Sequence, residues 1–161
     1  LIMLYPTQRW PLALLPVILF ARMALNAVDG MLAREFGQKS RLGAILNELG
    51  DVVSDSVLYL PIALVPEVNQ WAVVVFVLLA VLVEFAGVVA VQVGSERRYE
   101  GPMGKSDRAF WVGLLATLLA LKWIQPTWAT GFVCVLAVLS VPTVIKRASR
   151  ALDLQNSESS S

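Results

Sequence analysis

The chain has 161 residues, 57% hydrophobic and 16% charged, with a mean hydropathy of +0.69. Soluble domains run at roughly 45–50% apolar and about 25% charged, so this composition excludes a disordered chain and favours one that lives in lipid. Thirteen Lys and Arg against twelve Asp and Glu leave a charge of +1, too little to neutralise a nucleic-acid backbone, and no nucleic-acid partner is expected. There is no histidine and a single cysteine, Cys134, which excludes a disulfide framework, a Cys/His zinc site and imidazole catalysis.

A spanning helix needs roughly 20 mostly apolar residues, and five windows qualify in chain order. The first runs from about Pro11 to Ala33 and carries Arg22, Asn26 and Asp29 in its second half. The second, about Gly43 to Val65, carries Asn47, Glu48, Asp51 and Asp55 in its first half. The third, about Trp71 to Val93, is apolar apart from Glu84; the fourth, about Ala109 to Trp123, is short; the fifth, about Thr127 to Ile145, stops at Lys146-Arg147. Trp10, Trp71, Trp123 and Trp128 fall at window ends, where amphipathic rings favour the headgroup level. The opening Leu-Ile-Met-Leu-Tyr reads as the tail of a further hydrophobic segment. The expectation is an all-α integral membrane bundle, polytopic, with about five transmembrane helices here of six in the whole. Residues 1–150 form one transmembrane domain and 151–161 a polar, disordered tail.

Arg34, Lys39 and Arg41 lie in loop 34–42, Arg97, Arg98, Lys105 and Arg108 in loop 94–108, and Lys146, Arg147 and Arg150 after the last span. Connections 66–70 and 124–127 hold no basic residue. By the positive-inside rule the basic loops face the cytoplasm, which suits a bacterial inner membrane.

Ionisable groups inside spans cost about 2.5–3.5 kcal/mol each even on the lenient insertion scale and suggest function. Here they gather around one cytoplasmic loop. Arg22, Asn26 and Asp29 share one helix face, and Asn47, Asp51 and Asp55 step by four along the next helix with Glu48 beside them. At 1.5 Å per residue, Asp29 and Asp51 lie about 7 Å and about 12 Å from their helix ends, compatible with one shared site. Arg22 and Asp55 sit deeper and are expected to form a charge-neutralising pair. Two carboxylates and two amides without nitrogen or sulfur ligands suit a hard cation such as Mg²⁺ or Mn²⁺, and such an ion suits a phosphate or pyrophosphate substrate. Glu84, at a similar depth, is expected to be neutral or paired, and Lys105 and Arg108 are candidates for an acceptor phosphate or an anionic headgroup.

The spacing Asn26-x2-Asp29-Gly30-x2-Ala33-Arg34-x8-Gly43-x3-Asn47-x3-Asp51 resembles the signature of the CDP-alcohol phosphatidyltransferase family, Asp-x2-Asp-Gly-x2-Ala-Arg-x8-Gly-x3-Asp-x3-Asp. Every interval fits, and six of the eight identities match. The resemblance implies a six-helix membrane enzyme that moves a phosphatidyl group from a CDP-alcohol, commonly CDP-diacylglycerol, to an acceptor alcohol with release of CMP, in phospholipid biosynthesis. It implies a divalent metal held by Asn26, Asp29, Asn47 and Asp51, and a CDP moiety seated by Gly30, Ala33, Arg34 and Gly43. It makes Asp51 the base that takes the acceptor proton, and it implies a homodimer. Asn26 and Asn47 stand where the signature has aspartate, and each amide removes one negative charge from the metal site. A catalytically weakened or inactive relative, or a membrane carrier using Arg22, Asp55 and Glu84, is the alternative.

Overall fold

The computed structural model describes residues 1–5, 7–36 and 40–158, with side chains throughout these except at positions 33, 34 and 154–158. All regular structure among them is helical: α1 (Trp10–Glu35), α2 (Arg41–Tyr59) ending in a 3-10 turn (Leu60–Leu64), α3 (Gln70–Gln92), α4 (Lys105–Ala120) and α5 (Pro126–Glu158). The chain is thus a helical membrane bundle. Of the five helices, α1, α3 and α5 are long and apolar enough to cross a bilayer by themselves.

The other two fall short for different reasons. At 16 residues, α4 reaches only about 24 Å, less than the hydrocarbon core. α2 is long enough but carries its polarity inward. Asp51, Asp55 and Tyr59, one turn apart each, are buried, while Leu46, Leu49, Val53 and Val57 are 59–63% exposed. In water such a helix would be inside out. In lipid it buries its costly groups and shows hydrocarbon to hydrocarbon.

α3 packs along α5, α1 packs along α4, and α2 lies against α3. Leu12, Leu15 and Leu19 of α1 meet Val112, Leu115 and Leu119 of α4, and Phe76 and Val77 of α3 meet Val133 and Leu136 of α5, in one continuous core. Small residues bring backbones close, as membrane helices require: a Cβ on Gly113 would lie 3.5 Å from Pro16. Arg9 donates to the Leu119 carbonyl (3.3 Å) and Thr130 accepts from the Asn69 amide (3.0 Å). These contacts gather the starts of α1, α3 and α5 and the end of α4 at one end of the bundle. Trp10, Trp71, Trp123 and Trp128 all sit at this end and are exposed, as an interfacial belt would be.

Two boundaries differ from the sequence expectation. α4 begins at Lys105, four residues earlier, because the Asp107 carboxylate accepts from the Gly104 amide (3.0 Å) and closes the helix start. Lys105 and Arg108, expected in a loop, are therefore held on the first turn of a helix. α5 runs on to Glu158, across most of the segment expected to be a disordered tail, and Ala151 is buried within it; residues 159–161 lie outside the described residues.

Candidate functional site

At the opposite end of the bundle the polar side chains of all five helices join in one network, and its order along the chain of contacts alternates in sign. Lys105 donates to Asp51 Oδ2 (2.6 Å). Asp51 Oδ1 accepts from Arg22 Nη2 (3.2 Å), and Arg22 also pairs with Asp55 Oδ1. Arg108 grips Asp55 Oδ2 with Nη2 (2.8 Å) and Nε (3.1 Å) and reaches Glu84 Oε1 with the same Nη2 (2.7 Å). Glu84 Oε2 accepts from Arg97 Nη2 (2.7 Å), Arg97 pairs with Glu48, and Arg147 lies 3.7 Å from Glu84. Five cationic side chains thus face four carboxylates, leaving one positive charge in excess. Buried ions are tolerable only when paired and hydrogen-bonded in this way.

The expected Arg22–Asp55 pair is present, and Glu84 is paired. Arg108 is a correction: its guanidinium is 0% exposed and fully engaged by Asp55, Glu84 and the Met103 carbonyl (2.9 Å), so it holds helices together and is not available to an acceptor or headgroup. Arg147 is likewise consumed, donating to the carbonyls of Val83 (2.6 Å), Glu100 (3.2 Å) and Tyr99 (3.3 Å). Arg97 lies outside the spans. Burial would lower its pKa, but the hydrogen bonds and charges of Glu48 and Glu84 outweigh burial and raise it, so it is a permanent cation.

A polar cavity of about 380 Å³ opens over this network. Asn26, Asn47, Glu48, Arg97 and Lys105 are on its wall. Asp51 lies directly behind that wall, 5% exposed, bonded to Lys105 and approached by the Asn26 amide (3.5 Å). Three of the signature positions are therefore brought together: Asn26, Asn47 and Asp51. Asp29 is exposed and is not on the cavity wall. Gly43 is in the first turn of α2, its amide bonded to Ser40 (2.9 Å); Gly30 has open space at its Cα; the side chains of Ala33 and Arg34 lie outside the described residues. Arg97, Glu48 and Tyr99 went unassigned in the sequence because no motif ties loop 93–104 to α2; the clustered Arg97-Arg98 pair was the available signal.

A second, apolar cavity of about 470 Å³ lies between α1 and α4. Met23 and Ser106 line both cavities, so a hydrocarbon slot adjoins the charged one.

The donors fit a divalent ion poorly. Two of the four signature positions are neutral amides, both Asp51 oxygens are met by cationic donors, and no group of three Asp, Glu, Cys or His able to hold a metal occurs among the described residues.

A polytopic helical bundle with a charged cavity at one end and an adjoining apolar slot is the architecture of an integral membrane protein. Residues 1–144 match the CDP-alcohol phosphatidyltransferase family, and the chain belongs to it. It is therefore of a class of membrane enzymes that transfer phosphatidyl groups. It is 48% identical over 141 residues to the inner membrane protein YnbA of Escherichia coli (strain K12), an alignment covering 86% of this chain and 69% of that protein. No solved structure matches.

Proposed function

We propose that this protein moves a phosphatidyl group from a CDP-alcohol such as CDP-diacylglycerol to the hydroxyl of an acceptor alcohol, releasing CMP, at the cytoplasmic face of a bacterial inner membrane in phospholipid biosynthesis. The observation that carries this reading is Asp51, a carboxylate behind the wall of a cavity lined by three cations, three carboxylates and two amides and adjoining a hydrocarbon slot. A donor with a nucleoside diphosphate at one end and acyl chains at the other needs that combination.

In this mechanism the Asp51 carboxylate takes the proton of the acceptor hydroxyl as its oxygen bonds to the phosphatidyl phosphorus. The bond from that phosphorus to the bridging oxygen breaks, and its electron pair leaves on CMP. Arg22 and Asn26 hold Asp51 in place. The Mg²⁺ or Mn²⁺ implied by the resemblance would, when bound, supply electrophilic stabilisation of the diphosphate.

Purified full-length protein supplied with CDP-diacylglycerol and a panel of alcohols (glycerol phosphate, inositol phosphate, serine, a second lipid), with and without Mg²⁺ or Mn²⁺, is expected to release CMP with at least one of them. Asp51→Asn should lower the rate by about 10²–10⁴-fold, the worth of a positioned base. No CMP with any acceptor, or a rate unchanged in Asp51→Asn, would overturn the reading; metal-independent ion flux without CMP would indicate the carrier.

A further inference from the structure

We propose that Lys105 serves as a built-in cation of this site: together with Arg97 it binds the donor's diphosphate directly, so that diphosphate binding in this chain does not require a divalent ion. This deepens the reading given above and rests on it, since it assumes that the polar cavity is where the CDP-alcohol sits.

Three observations lead to it. First, where the signature would place four carboxylates this chain has two, and the two amides Asn26 and Asn47 lie on the cavity wall. Two negative charges have been removed from the ligand shell. Second, Lys105 Nζ sits 2.6 Å from Asp51 Oδ2 while Arg22 meets Oδ1. Asp51 therefore already has its counter-cations, supplied by the protein. Third, the cavity wall carries Lys105, Arg97 and Arg147 against Glu48, Glu84 and Asp107, so its charges balance before any ligand arrives. A site built for metal ions is expected to be net negative before loading; this one has no surplus negative charge for a cation to neutralise.

Lys105 is the mobile member of the pair. Its side chain is 22% exposed and ends in a flexible point charge, whereas Arg97 is fixed by Glu48 and Glu84. An arriving diphosphate offers Lys105 stronger acceptors than a carboxylate already shared with Arg22 and Asn26. As the ammonium turns to the ligand, Asp51 Oδ2 is left facing the cavity. The same movement that binds the donor uncovers the carboxylate that the proposed proton transfer needs.

The test is titration calorimetry of the purified full-length protein in detergent with CDP and with inorganic pyrophosphate, each in EDTA and in excess Mg²⁺. For wild type the dissociation constant for CDP in EDTA is expected to lie within about threefold of that in Mg²⁺. Lys105→Met should weaken binding in EDTA by about tenfold or more, the worth of one charge-assisted contact, and Lys105→Arg should retain most of it, which guards against a variant that merely misfolds. Asn26→Asp with Asn47→Asp should reverse the dependence, with weak binding in EDTA and tight binding in Mg²⁺. Wild-type binding seen only with Mg²⁺, or EDTA binding unaffected by Lys105→Met, would overturn the inference while leaving the transferase reading intact. No binding of CDP or pyrophosphate under either condition would overturn both.

Discussion

At the scale of single residues, the buried charges do not act as isolated pairs. Each carboxylate at the heart of the network has at least two cations, and Arg108 has two carboxylates. Removing one member of the buried core of the network strands its partner's charge, a loss of about 3–5 kcal/mol for a buried pair. Arg108→Met is expected near the lower end of that range, because Arg22 still meets Asp55 and Arg97 still meets Glu84. Glu84→Gln should cost a similar amount. The double variant should cost less than the sum by about 1–3 kcal/mol, since each change removes the other's partner; unfolding in detergent followed by helical circular dichroism reads all three, and strict additivity would show that the contact carries no energy. Half of this network was legible in the sequence. Arg22, Asp51 and Asp55 announce themselves by steps of four inside apolar windows. The partners Lys105 and Arg108 lie more than fifty positions from Asp51 and Asp55, and only the fold brings them together.

At the scale of elements, the connection between α3 and α4 sets the site. It carries Arg97 and Tyr99, with Arg97 4.5 Å over the Tyr99 ring, and delivers Lys105 to the cavity. α3 and α5 strap it down. The Arg98 amide donates to the Gly87 carbonyl (3.2 Å), Thr143 accepts from the Met103 amide (3.1 Å), and Arg147 holds two carbonyls of the same stretch. Gly87 is the point where α3 meets the connection closely: a Cβ there would lie 2.6 Å from both Arg97 Nη1 and the Arg98 carbonyl. Backbone cannot yield as a flexible side chain does, so Gly87→Ala should push the connection off α3. The expected result is a loss of about 1–3 kcal/mol, the usual cost of overpacking, with a drop in CDP affinity because Arg97 moves with the strap. Gly30→Ala, where nothing lies within 4 Å, is the control for thermal stability and should leave the melting temperature unchanged. Apart from the end of α5, which runs on to Glu158, the five helices themselves were readable from hydropathy to within a few residues. The start of α4 was not, because Gly104 and Asp107 form a helix cap inside a stretch rich in turn residues and charge, where hydropathy carries no signal.

At the scale of the whole molecule, the sequence separates two ends that the fold then uses differently. The tryptophan end is tied by the Arg9–Leu119 and Asn69–Thr130 contacts; the basic end holds the ion network and the cavity. Positive charge therefore does two jobs on one face. Exposed Arg and Lys fix orientation, while Arg97, Arg108 and Arg147, which count equally in any tally of loop charge, are drawn inside to neutralise Glu48, Asp55 and Glu84. The orientation signal that survives on the surface is weaker than the sequence suggests, which makes topology worth measuring. In a Cys134→Ser background, Glu96→Cys marks the cavity end and Gln125→Cys the tryptophan end, both at exposed positions. A membrane-impermeant maleimide applied to intact spheroplasts should label Gln125→Cys alone, and Glu96→Cys only after permeabilisation. Labelling in the reverse order would put the cavity on the outer face, away from cytoplasmic CDP-alcohols, and the transfer reaction would lose its donor.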